Sequence, residues 1–473
     1  MYRLSAAALL PALILLSSVV ALPKEIATAP PALAPDLRYK ADLLLVIAHP
    51  DDDTAVGAFL ARLTDEHKRV AVIYCTPGDG GGNQVGNEAG RSLGQIRILE
   101  ARRALASLGI ENVWFLGAHD TPGQNVLWSL DNWGHGRMLE EVVRLMRLTR
   151  PEVVLTWFPD NVAGENHGDH HAAGILATEA FDLAGDRTRF AEQVSPARNR
   201  TGMMNYTEGL LPWQPKKLYY TTDSFENFMP YWHDPSDRSP FRHNFLDGQG
   251  PSYSATDMSS TRHKPYSQLA AEELTFFRTQ DGKLAQQAIT SNDYHNFEFP
   301  VRLVLGKSLV GGSATGDVFE GITDKPLPFV PTDSYHPSKP TAPLFLLGDP
   351  WLFYRQFWQV HNLTRLSALL PVPETSAGFG EKLYLPMLIE NPGPEQQEIT
   401  VTPALPSGWI DQSPYQRFVV PPGQTVFPQM VVTAPAGGKR QWQELKWQAD
   451  SKSGSVGTVT LRVYVGKGSA LPQ

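Results

Sequence analysis

The chain has 473 residues, 42% hydrophobic and 19% charged, with a formal net charge of −8. This length exceeds one typical domain, so we expect two or three domains with sizeable cores. The negative charge and the absence of a Lys/Arg cluster argue against nucleic acid as a partner. Cys75 is the single cysteine, which excludes an internal disulfide, and its apolar surroundings favour inert core packing.

The first residues have the pattern of a targeting segment. Arg3 precedes the apolar run AAALLPALILLSSVVA, which ends at small residues near Ala21. A short apolar run after a positive charge is typical of a signal peptide. We therefore expect a signal peptide at 1–21, a Pro-rich tether at 22–39, and a secreted or periplasmic protein with no stable membrane anchor after cleavage.

Residues 40–190 alternate apolar runs with helical patterns. The predicted strands are 42–48, 69–75, 112–116 and 152–158, and the predicted helices are 54–66, 90–108, 134–149 and 170–183. This alternation predicts an α/β domain with a mostly parallel, Rossmann-like sheet and helices on both faces. No G-x-G-x-x-G follows the first strand, so a dinucleotide site is disfavoured. We expect the domain to extend over 40–340, with a further strand at 216–222 and a helix at 267–280.

Two polar clusters follow two of these apolar runs. LLLVIAHPDDD (43–53) ends in one histidine and three aspartates, and VVLTWF (153–158) is followed by NHGDHHAAG (166–174). Open α/β sheets have their ligand sites at the carboxyl ends of their strands. A divalent metal ion is the simplest occupant that would hold these histidines and aspartates together. A capped turn explains either cluster alone, whereas two clusters at strand ends favour a metal site.

This combination of motifs resembles the PIG-L/LmbE-like family of zinc-dependent N-acetylglucosaminyl deacetylases. The resemblance covers about residues 40–190. It rests on AHPDD after the first strand, TPGDGGGN (76–83) after the second, LGQIRILEARRALASLGIENVWFLGAHD (93–120) and the H-x-D-H cluster; RHKPYSQ (262–268) is similar to the family's later His-Ser-Gln segment. The family usually has Glu at the position of Asp53.

The resemblance implies a Zn²⁺ site formed by His49, Asp52 and His170. Three protein ligands leave one position open for water, which is the arrangement of a catalytic zinc site. The same donors also accept Fe²⁺, Co²⁺ or Mn²⁺. Because the ion lowers the pKa of a water molecule to about 7, a nearby carboxylate can take its proton. The resemblance gives this general-base role to Asp51.

Four further residues match functional positions of the family. His167 is expected to stabilise the oxyanion and to protonate the leaving amine, and Asp169 to hold that imidazole in its charged form. Asp169 is also a suitable cap for the following helix. Arg97 and Asp120 match sugar-contact positions, although Arg97 is equally compatible with an ordinary charge on a helix surface.

From about residue 370 the chain becomes β-rich. Short β-rich runs separated by Pro/Gly turns, such as QRFVVPPGQTVFPQMVVTAP and VGTVTLRVYVG, predict an antiparallel β-sandwich over 370–473, after a linker at 341–369. The pattern resembles the immunoglobulin-like module found beside bacterial glycoside-processing enzymes. Structural or interaction support is its expected role, and glycan binding is the alternative.

The implied function is a secreted, metal-dependent amidohydrolase that removes N-acetyl groups from a small-molecule or glycan substrate containing an amino sugar. One alternative is a catalytically inactive secreted glycan-binding protein, and a glycosidase that uses two carboxylates is another. The intact ligand and base positions favour the amidohydrolase. Trp157 and Trp232 are candidate platforms on which a sugar ring would stack.

Overall fold

Runs such as LLLVI and VAVIY form the centre of the fold because they are apolar on both faces. The computed structural model describes residues 35–160, 167–195, 208–221, 248–331, 340–370 and 372–466. The predicted signal peptide, most of the tether and Trp232 lie outside these residues. The first eight strands are β1 (Leu43–Ile47), β2 (Val70–Tyr74), β3 (Asn112–Phe115), β4 (Val153–Trp157), β5 (Lys217–Thr221), β6 (Ser252–Tyr253), β7 (Val301–Arg302) and β8 (Val304–Ser308).

The central sheet has the order β3-β2-β1-β4-β5-β8. Its first five strands are parallel, and β8 runs antiparallel to β5 at one edge. Every residue of β1, β2, β4 and β5 is buried, as expected for a sheet covered on both faces. The predicted parallel α/β fold is confirmed. Because the strand order reverses between β1 and β4, a ligand site is expected where these two strands end.

Helices cover the sheet. They are α1 (Gly57–Asp65), α2 (Gly90–Ser107), α3 (Val126–Trp133), α4 (His135–Thr149), α5 (Gly168–Leu183), α6 (Ala191–Val194), α7 (Tyr266–Leu274) and α8 (Gly282–Ser291). The helices predicted at 90–108, 134–149 and 170–183 correspond to α2, α4 and α5. The helix predicted at 267–280 ends earlier, at Leu274. Among the described residues, no helix has both the length and the apolar character needed to cross a membrane.

A β-sandwich follows, as predicted. Its strands are β9 (Leu344–Leu347), β10 (Glu374–Ala377), β11 (Lys382–Asn391), β12 (Gln397–Ala404), β13 (Ile410–Asp411), β14 (Arg417–Val420), β15 (Gln424–Val426), β16 (Gln429–Thr433), β17 (Gln441–Ser451) and β18 (Gly454–Val465). One sheet has the order β10-β18-β17-β12-β14 and the other β13-β16-β11-β15, with β9 also paired to β11. Alternate residues of both sheets, such as Met387 and Trp447, form one hydrophobic core.

The segment predicted as a linker, 341–369, is structured instead. Strand β9 belongs to the sandwich, and it is followed by α9 (Pro350–Val360) and α10 (Thr364–Ser367). Three aromatic side chains of α9, those of Tyr354, Phe357 and Trp358, are buried in the core of the α/β domain. The Tyr354 hydroxyl lies 2.7 Å from Nδ1 of His171, and the Trp358 indole N–H donates to Asp160 at 2.5 Å. The linker prediction is therefore wrong, because these aromatics pack beside α5.

The contact between Tyr354 and His171 supports a stability prediction. Burial lowers the pKa of His171 to about 3, so its ring is neutral and shares one hydrogen bond with the Tyr354 hydroxyl. We expect Tyr354→Phe to reduce the free energy of unfolding by about 1–3 kcal/mol, because a buried ring nitrogen loses its partner. Urea unfolding checks this, with Tyr384→Phe as the control, since Tyr384 is exposed on the sandwich. Equal midpoints for the two variants would show that the hydrogen bond contributes nothing.

Candidate active site

The turn after β1 has an unusual backbone. Asp51 has φ 99° and ψ −20°, a left-handed conformation that residues with a side chain rarely adopt. Its carbonyl oxygen accepts hydrogen bonds from the Thr54 N–H at 2.9 Å and the Thr54 hydroxyl at 2.6 Å. Strained backbone of this kind is concentrated at functional sites. This turn follows His49 directly and lies at the carboxyl edge of the sheet.

Asp52 lies between two imidazole rings. Its Oδ2 accepts three hydrogen bonds, from the Ala48 N–H at 2.9 Å, the His49 N–H at 3.0 Å and the Trp157 indole at 2.7 Å. Its Oδ1 lies 3.5 Å from His49 Nδ1 and 3.3 Å from His170 Nε2. Neighbouring ligand atoms of a tetrahedral zinc ion are about 3.3–3.4 Å apart, given bonds of about 2.0–2.1 Å. The spacing of Asp52 to both rings fits the predicted metal site.

Three histidine rings meet at this point. The ring centroids of His49, His167 and His170 are 4.9–5.3 Å apart. Among the residues that the structure describes, two groups of three offer ligand atoms within 4.8 Å of one another: His49 with His167 and His170, and His49 with Asp120 and Asp169. His49 belongs to both groups, so the donors converge on it, and His167 is placed close enough to be an alternative ligand.

The charges around His49 favour a cation. Burial alone would lower the pKa of His49, but the carboxylates of Asp120, Asp52 and Asp169 raise it well above its usual value. Burial would raise the pKa of Asp52, but His170 and His49 hold it well below the usual range. Asp52 is therefore ionised, and the site attracts positive charge. A divalent ion would replace the proton of His49 in this negative surrounding.

Asp51 has the properties expected of a general base. Burial and the charge of Asp52 raise the pKa of the Asp51 carboxyl well above its usual value, against the opposing effect of Arg97 and His49. A raised pKa brings a carboxylate closer to the operating pH, where proton transfer is most effective. The environment therefore suits Asp51 to accept a proton.

The predicted pairing of Asp169 with the His167 ring is wrong. Oδ2 of the buried Asp169 lies 3.2 Å from His49 Nε2 and accepts the Thr121 N–H at 2.8 Å. His167 Nδ1 instead accepts the Asp169 backbone N–H at 3.2 Å and caps α5. Burial, followed by His49 and His170, lowers the pKa of His167 well below its usual value, so this ring is neutral. Asp169 orients the candidate ligand His49, as an outer partner of a metal site does.

Known proteins support the family assignment. Residues 44–181 match the model of the PIG-L family, described as GlcNAc-PI de-N-acetylase. The chain contains a PIG-L domain. The resemblance predicted from the motifs is thus confirmed.

Two relatives of this PIG-L domain are each named 1D-myo-inositol 2-acetamido-2-deoxy-alpha-D-glucopyranoside deacetylase. The protein of Thermobifida fusca is 30% identical, over 37% of this chain and 60% of the relative. The protein of Geodermatophilus obscurus is 34% identical, over 30% of this chain and 54% of the relative. The chain therefore spans a little over half the length of these relatives. A solved structure of N,N'-diacetylchitobiose deacetylase from Pyrococcus horikoshii has 20% identity and a TM-score of 0.30, covering 38% of this chain and 60% of that one.

Arg97 of the PIG-L domain is not a surface charge. It is buried, and its guanidinium donates to the carbonyls of Gly78 and Gly82, each at 2.7 Å. A Cβ at Gly81 would lie 2.5 Å from the Arg97 Nη1, so a larger residue there would displace the guanidinium. Arg97 therefore holds the Gly-rich loop 76–83 in place, and its interpretation as an exposed helix residue is wrong.

Asp120 holds the same loop from the other side. Its Oδ1 accepts the Thr76 hydroxyl at 2.5 Å, and its Oδ2 accepts the Gly80 N–H at 2.8 Å. Asp120 also belongs to the group of possible ligands around His49. Arg97 and Asp120 thus shape the loop beside the site, and their predicted sugar contacts stay predictions.

Trp157 is not a sugar platform. Only 2% of its surface is exposed, and its ring stacks on His170 with centroids 4.4 Å apart and planes 7° from parallel. Because its indole also donates to Asp52, Trp157 holds two candidate ligands of the PIG-L domain in position. Its place at the end of a buried strand was the sequence signal for this structural role.

The RHKPYSQ segment makes its contacts elsewhere. The Gln268 side chain donates to Glu272 on the partly exposed side of α7, at 2.9 Å. Ser259 and Tyr266, at either end of the preceding turn, donate to the carboxylate of Asp65. These contacts anchor a turn to α1. A different glutamine, Gln280, reaches the turn after β1 by donating to the Pro50 carbonyl at 2.6 Å.

Asp53 forms a buried acid pair with Glu273, which the motifs did not indicate. Both side chains are fully buried, and their oxygens have no hydrogen bond of normal geometry among the described residues. Burial raises the pKa of both carboxyls, and the negative charge of Asp53 raises that of Glu273 further. The pair therefore favours holding one proton between its two carboxyls. A Cβ at Gly57 would lie 2.5 Å from Glu273 Oε2, so a side chain at the start of α1 would displace the Glu273 carboxyl.

The acid pair supports a prediction on pH. An acid with a raised pKa in the folded state contributes stability below its unfolded pKa of about 4.3, and this stability is lost as the pH rises through the folded pKa. Glu273→Gln keeps the shape of the protonated acid, so its stability relative to wild type should rise with pH, by up to about 1.4 kcal/mol per pH unit. Urea unfolding between pH 5 and pH 9 measures this, with the neighbouring Glu272→Gln as control. If the free energies of unfolding of Glu273→Gln and wild type changed in parallel with pH, the raised pKa of Glu273 would be contradicted.

Proposed function

We propose that this protein is a metal-dependent amidohydrolase that removes N-acetyl groups from amino-sugar substrates. The observation that carries the proposal is Oδ1 of Asp52, which lies within 3.5 Å of two imidazole nitrogens, in the residue that directly follows Asp51. The names of the relatives, which are deacetylases of an acetamido-glucopyranoside, support the substrate class. We take Zn²⁺ as the ion, with Fe²⁺, Co²⁺ or Mn²⁺ as substitutes of the same donor preference.

His49, Asp52 and His170 would hold the ion. When bound, it would polarise the amide carbonyl and lower the pKa of a water molecule. The Asp51 carboxylate would accept a proton from that water as its oxygen attacks the carbonyl carbon. The same proton would then pass to the amine nitrogen as the C–N bond breaks, so that acetate and a free amine leave the site.

His167 would stabilise the oxyanion that develops on the carbonyl. Because its Nδ1 accepts the Asp169 N–H, the neutral ring carries its proton on Nε2. A fixed N–H donor at the point where negative charge develops is the usual form of oxyanion stabilisation. His167 therefore would act as a hydrogen-bond donor without needing the positive charge that the motif predicts.

Secretion is part of the proposal. It rests on Arg3 and on the apolar run that ends near Ala21, which have the pattern of a signal peptide. Export would bring the enzyme to extracellular or periplasmic amino sugars.

The test is product analysis with metal-loaded protein and a panel of N-acetylglucosamine, its inositol glycoside and chitooligosaccharides. We expect equimolar acetate and free amine from at least one of them, with the glycosidic bond intact. Saccharide binding without acetate would replace the proposal with the glycan-binding protein. Release of a sugar without acetate would replace it with the glycosidase.

A further inference from the structure

The side chain of Gln280 is hydrogen-bonded to the turn that contains Asp51. Its Nε2 donates to the Pro50 carbonyl at 2.6 Å, although the two residues are 230 positions apart in the chain. Gln280 is 8% exposed, and its Oε1 has no hydrogen-bond partner among the described residues. The contact with Pro50 is therefore a buried hydrogen bond of the Gln280 amide.

The contact acts on the torsion angles of Asp51. The Pro50 carbonyl and the Asp51 N–H lie in one rigid peptide plane, so a hydrogen bond to that carbonyl fixes the plane on the N-terminal side of Asp51. Thr54 binds the Asp51 carbonyl and fixes the plane on the C-terminal side. Together the two contacts hold Asp51 at φ 99°, a conformation that its own backbone preference opposes.

Gln280 is itself held firmly. The neighbouring Thr279 donates to Glu100 of α2 through its N–H, at 3.1 Å, and through its hydroxyl, at 2.6 Å. The Thr279 carbonyl accepts the N–H of Gln84, next to the Gly-rich loop, at 3.1 Å. The turn after α7 is therefore fastened to α2 and to that loop, and it presents Gln280 to Pro50 from a fixed base.

We propose that Gln280 is a positioning residue for Asp51. It holds the Pro50–Asp51 peptide so that the carboxylate of Asp51 stays where it takes the proton of the attacking water. The inference rests on the proposed function, because it assigns Gln280 an effect on catalysis through the general base. It assigns Gln280 no contact with substrate or metal.

The test compares Gln280→Met with Gln268→Met in the full chain. Methionine matches the length of glutamine but lacks the donor, and the Gln268 side-chain amide donates to Glu272, away from the turn that contains Asp51. On the N-acetylglucosaminide that wild type hydrolyses fastest, we expect Gln280→Met to lower kcat by about 10- to 100-fold. KM, zinc affinity and Tm should remain close to those of Gln268→Met. A fall in zinc affinity or Tm that accounts for the loss would overturn the proposal.

A double-mutant cycle tests the route of the effect. In the Asp51→Asn background, Gln280→Met should change kcat by less than about twofold, because the group that it positions is already lost. Additive losses in the two variants would overturn the proposal.

Hydrogen exchange provides a readout without substrate. The amides of residues 51–54 should exchange faster in Gln280→Met than in Gln268→Met, because the turn loses its anchor. Unchanged exchange overturns the positioning role even if the enzyme is active. Faster exchange in a protein that releases no acetate from any substrate overturns the proposed function and leaves the anchoring contact in place.

Discussion

Replacing Asp51 by asparagine should lower kcat for acetate release by about 10²- to 10⁴-fold, the usual contribution of a general base. Asparagine is nearly isosteric and does not accept the proton of an attacking water. Asp51 is outside the proposed ligand set, so zinc affinity should remain near that of wild type. Initial rates and zinc competition titrations on the same preparations measure the two quantities.

The pH dependence of kcat gives a second test of Asp51 as the general base. Burial and Asp52 raise the pKa of Asp51, so wild-type kcat should fall as the pH drops through that raised value, because the base becomes protonated. Asp51→Asn should lose this acid limb. The control is Asp293→Asn, since Asp293 is an exposed surface residue. Near wild-type turnover by metal-loaded Asp51→Asn would remove Asp51 from the mechanism.

Replacing His170 by alanine should abolish stoichiometric zinc binding and acetate release together. His170 Nε2 lies 3.3 Å from Asp52 Oδ1, so its loss removes one of three proposed ligands. Asp169→Asn should weaken zinc binding by only about 10- to 100-fold, as expected for a group that orients a ligand. Zinc content per chain after dialysis against a zinc buffer distinguishes the loss of a ligand from the loss of a group that orients a ligand.

His167→Ala decides between the two possible histidine sets. If His49, Asp52 and His170 are the ligands, this variant should keep its zinc and lose most of its turnover. His135→Ala is the surface control, because that ring contacts Glu179 on the outside of the domain. Loss of zinc from His167→Ala at the level of His170→Ala would instead make His167 a ligand.

The elements of the α/β domain could be predicted because their patterns are local. Five-residue apolar runs form β1, β2 and β4, and the residues after β1 and β4 reach one edge of the sheet. The candidate metal-binding motif could therefore be predicted from the sequence alone. Helix α9 was missed although PWLFYRQFWQV has Pro at its first position and the aromatic content of a buried helix.

The partners of the site residues could not be predicted in the same way. Asp169 follows His167 by two residues in the motif, yet its carboxylate contacts His49, which is 120 residues away. The sequence pattern is compatible with Arg97 as a charge on the surface of a helix. Its burial against the Gly-rich loop is visible only in the folded structure. Glu273 and Gln280 reach the turn after β1 from more than 200 residues away, so spacing in the sequence carries no sign of either contact.

Zinc dependence of hydrolysis is tested most directly by a zinc titration of metal-free protein, followed by acetate release from the panel of N-acetylated amino sugars. We expect no release from the chelated protein, and a rate that rises with added zinc to a plateau at one ion per chain. Acetate release that persists without metal, or one bound zinc with no release from any substrate, would contradict it.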